Sequence, residues 1–444
     1  MKKQKMETER FGKLAVDYSL FYAGKVEVNP KVPVRDLSDF SIWYTPGVAS
    51  VSRIIAENED LSFRYTGRWN TIAVVSDGSR VLGLGDIGPA ASMPVMEGKA
   101  LIYKYLGGVN AVPLPIDAHK PEEIVDMVKK LEPAFGGINL EDIASPKCFY
   151  VLDKCREEMQ IPVWHDDQQG TAGVTLAGLI NALTFTGRKL RGTKILLFGA
   201  GAANIATVPV LVAAGADYGD LILVDSKGIL HPEREDIDEL LLRHPLKYEL
   251  ALKTNKERRK GGSKEAFEDV DVVIGASKPG PGVWKPEWIR SMAEDSIVFA
   301  LANPVPEMWP EEAKEAGARI TATGRSDFAN QVNNSLLFPA MFRGVLNVRA
   351  RTISDKMAVM AAMEIARFAE ERGLKEDYII PTMEEWEFYP RVAAVVAEEA
   401  VKEGLARVKM TKDEAYQKSV EIIQKARQTL DLHCREKLIL PPPE

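Results

Sequence analysis

Two groups of acidic residues stand where the surrounding pattern is apolar, and their side chains are well suited to chemistry. Glu141 and Asp142 follow the run Gly137-Ile-Asn-Leu140, and Asp166 and Asp167 follow Val163-Trp-His165. Carboxylates gathered from two such loops form an all-oxygen site of the kind that Mg²⁺ or Mn²⁺ prefers. Each pair taken alone is equally compatible with solvent-facing loop charge, and His165 is interpreted as a packing or supporting residue.

A lysine and a tyrosine are candidates for proton transfer. Lys99 lies on an apolar helical stripe within residues 92–106, where partial desolvation would lower its pKa toward the range of a general base. The alternative is that the stem of Lys99 packs while its ammonium reaches water. Tyr44 precedes the turn at Pro46-Gly47, and this pattern alone indicates only an aromatic residue in a loop.

Residues 195–204 predict a nucleotide-binding turn. The apolar run 195–198 suits a buried parallel strand, and a glycine turn then opens a helix. Gly199 permits the tight turn, and Gly201 lets the backbone approach a pyrophosphate at the helix N-terminus. Asn204 stands where a third glycine is usual, so an ordinary strand-to-helix turn is the alternative. With a second apolar strand at 221–224 and an acid after it for the ribose, the predicted NAD or NADP contacts are Gly199, Ala200, Gly201, Ala202, Ala203, Asn204, Asp225 and Ser226.

The elements that would position these residues alternate along the chain. Apolar runs predict strands at 71–75, 195–198, 221–224, 271–275 and 296–301. Helical periodicity predicts helices at 92–106, 171–186, 354–372, 390–403 and 411–430. This pattern is typical of α/β folds, whose ligands bind beyond the carboxyl ends of the strands. We expect an N-terminal α/β catalytic domain (1–165), a doubly wound Rossmann-type domain (166–350) and a C-terminal helical segment (351–444).

Composition excludes several classes of function. The chain has 444 residues, 45% hydrophobic and 27% charged, which is typical of a soluble protein of two or three domains. A net charge of −7 and the lack of a basic stripe argue against nucleic acid as a partner. The sequence has no apolar run of membrane-spanning length and no signal peptide. Its three cysteines, Cys148, Cys155 and Cys434, have no zinc-ligand spacing and fit a cytoplasmic protein.

Several blocks of the sequence, in order between about residues 17 and 370, resemble the signatures of malic enzymes. Three lie in the N-terminal third: Tyr44-Thr-Pro-Gly-Val-Ala49, Ser76-Asp-Gly-Ser-Arg80-Val-Leu-Gly-Leu-Gly-Asp86 and Pro94-Val-Met-Glu-Gly-Lys99. The others are Asn139-Leu-Glu-Asp-Ile143, His165-Asp-Asp-Gln-Gln-Gly-Thr171, Ala302-Asn-Pro-Val-Pro-Glu307 and Gly324-Arg-Ser-Asp-Phe-Ala-Asn-Gln-Val-Asn-Asn334. The length is similar to that of the short prokaryotic type.

The resemblance implies oxidative decarboxylation of (S)-malate to pyruvate and CO₂ with reduction of NAD or NADP, and also decarboxylation of oxaloacetate. It assigns Tyr44 as general acid, Lys99 as general base and Asp166 as the acid that pairs with the lysine. The implied ligands of Mg²⁺ or Mn²⁺ are Glu141, Asp142 and Asp167. Arg80 would bind a substrate carboxylate through its guanidinium fork. Asparagines on the substrate and nicotinamide side would be Asn303, Asn333 and Asn334, with the malate contact of the last two left open.

Three alternatives and two open questions remain. A malolactic-type enzyme would share these motifs and release lactate, whereas an amino-acid dehydrogenase would have no use for the three carboxylates. A non-catalytic NAD-binding protein would not require the acid–base set. Asp225 favours NAD by repelling a 2′-phosphate, although Ser226 and Lys227 could accommodate one. The apolar segment Ala15–Tyr22 and the resemblance both predict a homodimer or a higher homo-oligomer, and the role of residues 405–444 is open.

Overall fold

The computed structural model describes residues 2–443, with side chains from residue 7 onward. The chain begins with helices, whose bounds are α1 (Lys2–Tyr22), α2 (Leu37–Trp43), α3 (Val48–Glu57) and α4 (Ser62–Tyr65). Asp36 caps α2 because its carboxylate accepts a hydrogen bond from the Ser38 amide at 2.8 Å. Between residues 7 and 57 only Asp39 is buried, so this segment, the N-terminal arm, contributes almost nothing to the core of its own chain.

A parallel sheet of four strands carries the acidic loops. Its strands are β1 (Thr71–Ser76), β2 (Asn110–Pro115), β3 (Gly137–Leu140) and β4 (Val163–His165), in the order β2–β1–β3–β4. The connecting helices are α5 (Gly88–Gly107), α6 (Pro121–Leu131) and α7 (Lys147–Glu158). Strands β3 and β4 are buried throughout, as expected for parallel strands covered on both faces. The register pairs Leu140 with His165, so the two acidic pairs leave the sheet side by side.

A second sheet of six strands has the order β10–β9–β8–β5–β6–β7. The strands are β5 (Ile195–Phe198), β6 (Leu221–Asp225), β7 (Gly228–Ile229), β8 (Val272–Gly275), β9 (Ile297–Ala300) and β10 (Ile320–Thr323). All pairings are parallel except that of β7. Strand β5 lies between β6 and β8, so the strands that follow it are added first on one side of β5 and then on the other. Open α/β sheets bind ligands at the point where the strand order reverses in this way.

Helices cover the second sheet and extend to the first. They are α8 (Thr171–Phe185), α9 (Ala202–Ala213), α10 (Ile237–Arg243), α11 (Pro245–Lys253), α12 (Ser263–Ala266), α13 (Pro286–Arg290) and α14 (Pro310–Glu315). The C-terminal helices are α15 (Phe338–Val348), α16 (Asp355–Glu371), α17 (Phe388–Lys402) and α18 (Lys412–Arg435). Helix α16 packs on α8, α17 on α15, and α18 on α17 and α5. One hydrophobic core therefore runs from Ile72 in the first sheet to Ile423 in α18.

The structure confirms the predicted α/β class with its doubly wound second sheet. The predicted strands and helices are present, with bounds that shift by a few residues. Within residues 2–443, no helix is both long enough and apolar enough to span a membrane.

Candidate active site

A cleft of about 560 Å³ is lined by loops that follow the strands of both sheets. This placement is the one that parallel sheets favour, because their strand ends present loops on a common edge. The structure brings most of the predicted site residues together here: Arg80, Lys99, Glu141, Asp142, Asp167, Gly201, Ala202, Ala203, Asn303, Asn333 and Asn334.

Lys99 is the centre of a buried network of charges. Its Nζ lies 2.6 Å from Glu141 Oε1 and contacts Asp166 Oδ2. Trp164 Nε1 donates to the other oxygen of Asp166 at 3.0 Å, and Asn139 Nδ2 donates to Glu141 Oε2 at 2.8 Å. Each carboxylate is therefore fixed on two sides. Trp164 and Asn139 were missed by sequence reasoning because their buried positions in β4 and β3 resemble ordinary core.

The protonation of Lys99 differs from the sequence-based expectation. Burial lowers its pKa, but the carboxylates of Asp166 and Glu141 act in the opposite direction and are stronger, so the pKa of Lys99 is raised above its usual value. The helical stripe indicates desolvation correctly. The stripe does not reveal that Glu141 and Asp166, which follow strands β3 and β4, contact the ammonium group.

Three carboxylates lie close enough to hold one cation. Ligand oxygens of Glu141, Asp142 and Asp167 lie within 4.8 Å of one another. Asp142 Oδ2 is buried and has no hydrogen-bond partner among the described residues. Burial and the neighbouring Asp167 raise the pKa of Asp142 to about 7, and burial raises the pKa of Glu141 well above its usual value. A divalent cation would relieve this repulsion and occupy the unpartnered oxygen, so the donor set fits Mg²⁺ or Mn²⁺.

The backbone of these loops is shaped to present the acids. Asp142 has φ +54°, a left-handed conformation that aspartate tolerates better than most residues. Its amide donates to Asp167 Oδ2 at 2.8 Å, which joins the loops after β3 and β4. After β4, residues 166–170 form a π-type turn in which Gly170 is required, because a Cβ there would overlap the carboxylate of Asp166. His165 is buried, and burial lowers its pKa to about 4.

The glycine turn after β5 has the geometry of a nucleotide cradle. Gly199 has φ +99°, and a Cβ there would lie 2.7 Å from the Ala276 carbonyl oxygen. Gly201 precedes α9, lines the cleft and has open space where a Cβ would lie. Asn204 donates its amide hydrogens to the carbonyl oxygens of Phe198, Gly199 and Ile274 at 3.0–3.3 Å. The residue at the third glycine position thus locks the turn to β5 and β8.

The other predicted cofactor contacts lie beside the cleft and do not line it. Gly199 and Ala200 form the turn, and Asn204 lies in the first turn of α9. Asp225 is the last residue of the neighbouring strand β6, and Ser226 follows it. The Gly199 amide donates to the Val224 carbonyl at 2.9 Å, so Asp225 stands immediately next to the turn. This is the position that a ribose-binding acid occupies in Rossmann folds.

Of the predicted substrate residues, Arg80, Asn303 and Asn334 have side chains that make no hydrogen bond within the described residues. Within the described residues, the Arg80 guanidinium has neither an ion pair nor a hydrogen bond, although its amide is fixed to the Asp142 carbonyl at 3.0 Å. Asn333 donates to the Gly324 carbonyl at 2.9 Å and accepts from the Ser335 amide at 3.0 Å. The Asn334 side chain makes no hydrogen bond within the same residues.

Two further residues shape the cleft and were not identified from the sequence. Glu307 is fully buried and accepts hydrogen bonds from the Ser277 amide and hydroxyl, both at 2.9 Å, and from the Ala302 amide at 3.1 Å. It therefore ties together two loops of the cleft wall. Gly83 packs against the opposite wall, because a Cβ there would lie 2.6 Å from the Asn303 carbonyl oxygen. The sequence signal available for Glu307 was an acidic residue directly after Pro304-Val-Pro306.

Tyr44 is not brought to this site within one chain. It ends α2 in the N-terminal arm, is 70% exposed and does not line the cleft. The residues that line the cleft of one chain therefore include Lys99 and do not include Tyr44. The role of Tyr44 as general acid stays a prediction.

Comparison with known proteins gives the same family along most of the chain. The model of the malic enzyme N-terminal domain matches residues 23–156, and that of the malic enzyme NAD-binding domain matches residues 168–401. The bifunctional malic/malolactic enzyme of Bacillus subtilis (strain 168) is 45% identical over 396 residues, which are 89% of this chain and 94% of that protein. The NAD-dependent malic enzyme of Geobacillus stearothermophilus is 48% identical over 390 residues, or 88% and 79% of the two chains.

The fold comparison agrees. The crystal structure of Entamoeba histolytica malic enzyme superposes with a TM-score of 0.96 and 46% sequence identity, covering 100% of this chain and 93% of that one. The two family models, the relatives and the solved structure all indicate one family, and the geometry of the cleft is consistent with it. This chain therefore belongs to the malic enzyme family.

Proposed function

We propose that this chain catalyses the oxidative decarboxylation of (S)-malate to pyruvate and CO₂ with reduction of NAD or NADP, and that it also decarboxylates oxaloacetate. The observation that carries the proposal is the buried contact of Lys99 with Glu141 and Asp166 in a cleft that also includes the glycine turn at Gly201. A lysine for proton transfer, carboxylates for a metal and a nucleotide cradle are thus within one cavity. The names of the relatives from Bacillus and Geobacillus support the same reaction.

We assign Glu141, Asp142 and Asp167 as the residues that would hold Mg²⁺ or Mn²⁺. When bound, the cation would act as a Lewis acid on the C2 oxygen of malate, and the nicotinamide would accept the hydride from C2. With a cation bound, Glu141 would be shared between the metal and Lys99, and its influence on the pKa of this lysine would be weaker. Asp166, fixed by Trp164, remains as the partner that orients Lys99.

Arg80 and two asparagines would orient the substrate. The Arg80 guanidinium, which has no protein partner in the described chain, suits a bidentate contact with a malate carboxylate. Of the neighbouring asparagines, Asn334 is assigned to the substrate because the amide of Asn333 is already engaged by backbone groups. Asn303 lines the opposite wall.

Lys99 would accept the proton of the C2 hydroxyl during oxidation. Oxidation precedes loss of CO₂, because only a C2 ketone provides a sink for the electrons of the C3–C4 bond. The resulting enolpyruvate then needs a proton at C3, and within the described residues of the cleft no tyrosine is present to donate it.

A second copy of the chain would supply that acid. The N-terminal arm exposes a run of large apolar side chains, which monomeric proteins rarely leave uncovered: Phe11, Val16, Leu20, Val28, Leu37, Phe40, Ile42 and Trp43 are each at least 47% exposed. We propose a homodimer in which the arm covers the partner and brings Tyr44 to the partner's cleft. In this arrangement Tyr44 can act as the general acid although its side chain is exposed in a single chain.

The malolactic reaction is the second candidate, because the Bacillus relative is named as a bifunctional malic/malolactic enzyme. The two functions are separated by incubating the protein with malate, Mn²⁺ and either NAD or NADP, and measuring pyruvate, lactate and reduced cofactor. Equal amounts of pyruvate and reduced cofactor would support the proposal. Lactate formed without net reduction would favour the malolactic reaction, and nucleotide binding without turnover would leave a non-catalytic protein.

A further inference from the structure

Lys147 and Asp77 form an ion pair at the base of the loop that carries Arg80. Lys147 is the first residue of α7, and its Nζ contacts Asp77 Oδ2. The Asp77 side chain is 0% exposed, and among the described residues Lys147 is its one cationic partner. An unpaired buried charge is costly, so the position of the lysine determines where this acid lies.

The other oxygen of Asp77 holds the residue directly before Arg80. Asp77 Oδ1 accepts hydrogen bonds from the Ser79 amide at 3.0 Å and from the Ser79 hydroxyl at 2.6 Å. The Ser79 hydroxyl oxygen in turn accepts one from the Ala144 amide at 2.9 Å. The Arg80 amide donates to the Asp142 carbonyl at 3.0 Å. Both residues are therefore tied to the loop between β3 and α7.

The Arg80 side chain has no contact of its own that would direct it. It lines the cleft, and within the described residues its guanidinium makes neither an ion pair nor a hydrogen bond. Its direction consequently depends on the backbone of residues 77–80, which the pair of Lys147 and Asp77 holds in place. Lys147 does not line the cleft, so its influence on a bound ligand is indirect.

We propose that Lys147 is a positioning residue for the substrate, which acts through Asp77 to set the direction in which Arg80 presents its guanidinium to a malate carboxylate. This inference rests on the substrate part of the proposed function. A guanidinium binds a carboxylate best in the planar arrangement with two parallel hydrogen bonds. Loss of the lysine would leave Asp77 unpaired, displace residues 77–80 and weaken that contact. The glycine turn after β5 belongs to the other sheet and should be unaffected.

Equilibrium binding of malate to the protein loaded with Mn²⁺ tests this inference, because no turnover occurs without the nicotinamide cofactor. The Kd is measured by calorimetry for the parent, Lys147→Met and Lys147→Arg. Lys147→Met should raise the Kd about tenfold, the size of one charged hydrogen bond, and Lys147→Arg should restore most of the affinity. In turnover, Lys147→Met should raise the KM for malate with little change in kcat, and its Kd for NADH should match that of the parent.

Lys154→Met is the matched control for the loss of a lysine from α7. Lys154 lies on the same helix, is 39% exposed and pairs with Glu157 at 2.7 Å on the surface. Its replacement should leave the Kd for malate unchanged.

Two further variants separate positioning from a general loss of stability. Lys147→Met added to Arg80→Met should not raise the malate Kd beyond that of Arg80→Met alone, because the lysine acts only through this arginine. Ser79→Ala keeps both charges of the ion pair and breaks the same chain of contacts, so it should also raise the Kd for malate. This variant tests the inference even if Lys147→Met does not fold.

The outcomes are distinct. An unchanged malate Kd in Lys147→Met or in Ser79→Ala, equal weakening of malate and NADH, or additive losses in the double variant would each overturn the inference. Malate binding that depends on Lys147 in a protein that forms no pyruvate would refute the proposed reaction and leave this role standing. A parent that does not bind malate would refute both.

Discussion

Mixing two inactive variants tests whether Tyr44 acts across a dimer. Tyr44→Phe removes only the hydroxyl of the proposed acid, and Lys99→Ala removes the amine of the proposed base. Each should lower malate turnover by about 10²–10⁴-fold, the usual contribution of one acid–base group. Because Tyr44 is 70% exposed and absent from the cleft of its own chain, a dimer in which each arm serves the partner's cleft would carry both changes in one of its two sites when it contains one chain of each variant.

The expected recovery follows from counting sites. If the chains exchange at random, about half of the dimers are mixed, and each mixed dimer has one site with both native residues and one with neither. Recovered activity should then reach about one quarter of the parent value in the mixture, and about one half in purified mixed dimers. If each chain instead supplied both residues to its own cleft, every site in the mixture would lack one of them.

The assay is malate-dependent reduction of NAD, followed by absorbance after co-expression of the variants with different affinity tags. The matched control pairs Tyr44→Phe with a chain that carries both substitutions, since no site can then contain both native residues. Tandem purification confirms that mixed dimers are present. Mixed dimers that remain as inactive as this control would refute the shared site.

Three further outcomes are expected. Asp167→Ala should raise the Kd for Mn²⁺, measured by electron paramagnetic resonance, by at least about tenfold to a hundredfold with little change in the unfolding midpoint. The exposed Asp126→Ala is its control, and equal Mn²⁺ affinity would contradict the metal assignment. Asn204→Asp should lower the Tm by several degrees relative to the exposed Asn29→Asp, because a carboxylate would face three carbonyl oxygens at a cost of ~1–3 kcal/mol or more. Asp225→Ala should shift the ratio of kcat/KM values toward NADP, by up to about tenfold for ~1.4 kcal/mol, because NAD would lose the hydrogen bonds of its ribose hydroxyls to this carboxylate, and an unchanged ratio would show that Asp225 does not contact the ribose.

Much of the fold follows from local apolar patterns. The predicted strand at 195–198 coincides with β5, and the predicted helix at 354–372 contains α16. Burial on both faces makes parallel strands short continuous apolar runs, and a half-buried helix repeats its apolar residues every three to four positions. The carboxylates Glu141 and Asp166 were identifiable because charge directly after such a run is unusual, and the parallel register then places them side by side.

What the sequence could not predict depends on contacts between distant segments. The raised pKa of Lys99 arises from acids that are 42 and 67 residues away along the chain. The pairing of Asp225 with Lys247 likewise requires α11 to fold back over β6. The exposure of Tyr44 is a further case, because the pattern near Pro46 specifies a turn and contains no information about which chain's cleft the tyrosine serves.

We expect the contact at Gly83 to limit the length of diacid that the cleft accepts. Gly83 lies in the loop that carries Arg80 and touches the Asn303 carbonyl, with no room for a Cβ between them. The ring of Pro279 is equally close, because its Cγ would lie 2.5 Å from the same Cβ, so the spacing of the two walls is set here by backbone and by rigid proline rings that cannot adjust it as a flexible side chain could. Gly83→Ala should separate the two walls by roughly the width of a methyl group, which would weaken selection for the four-carbon acid and favour a 2-hydroxy diacid with one more methylene.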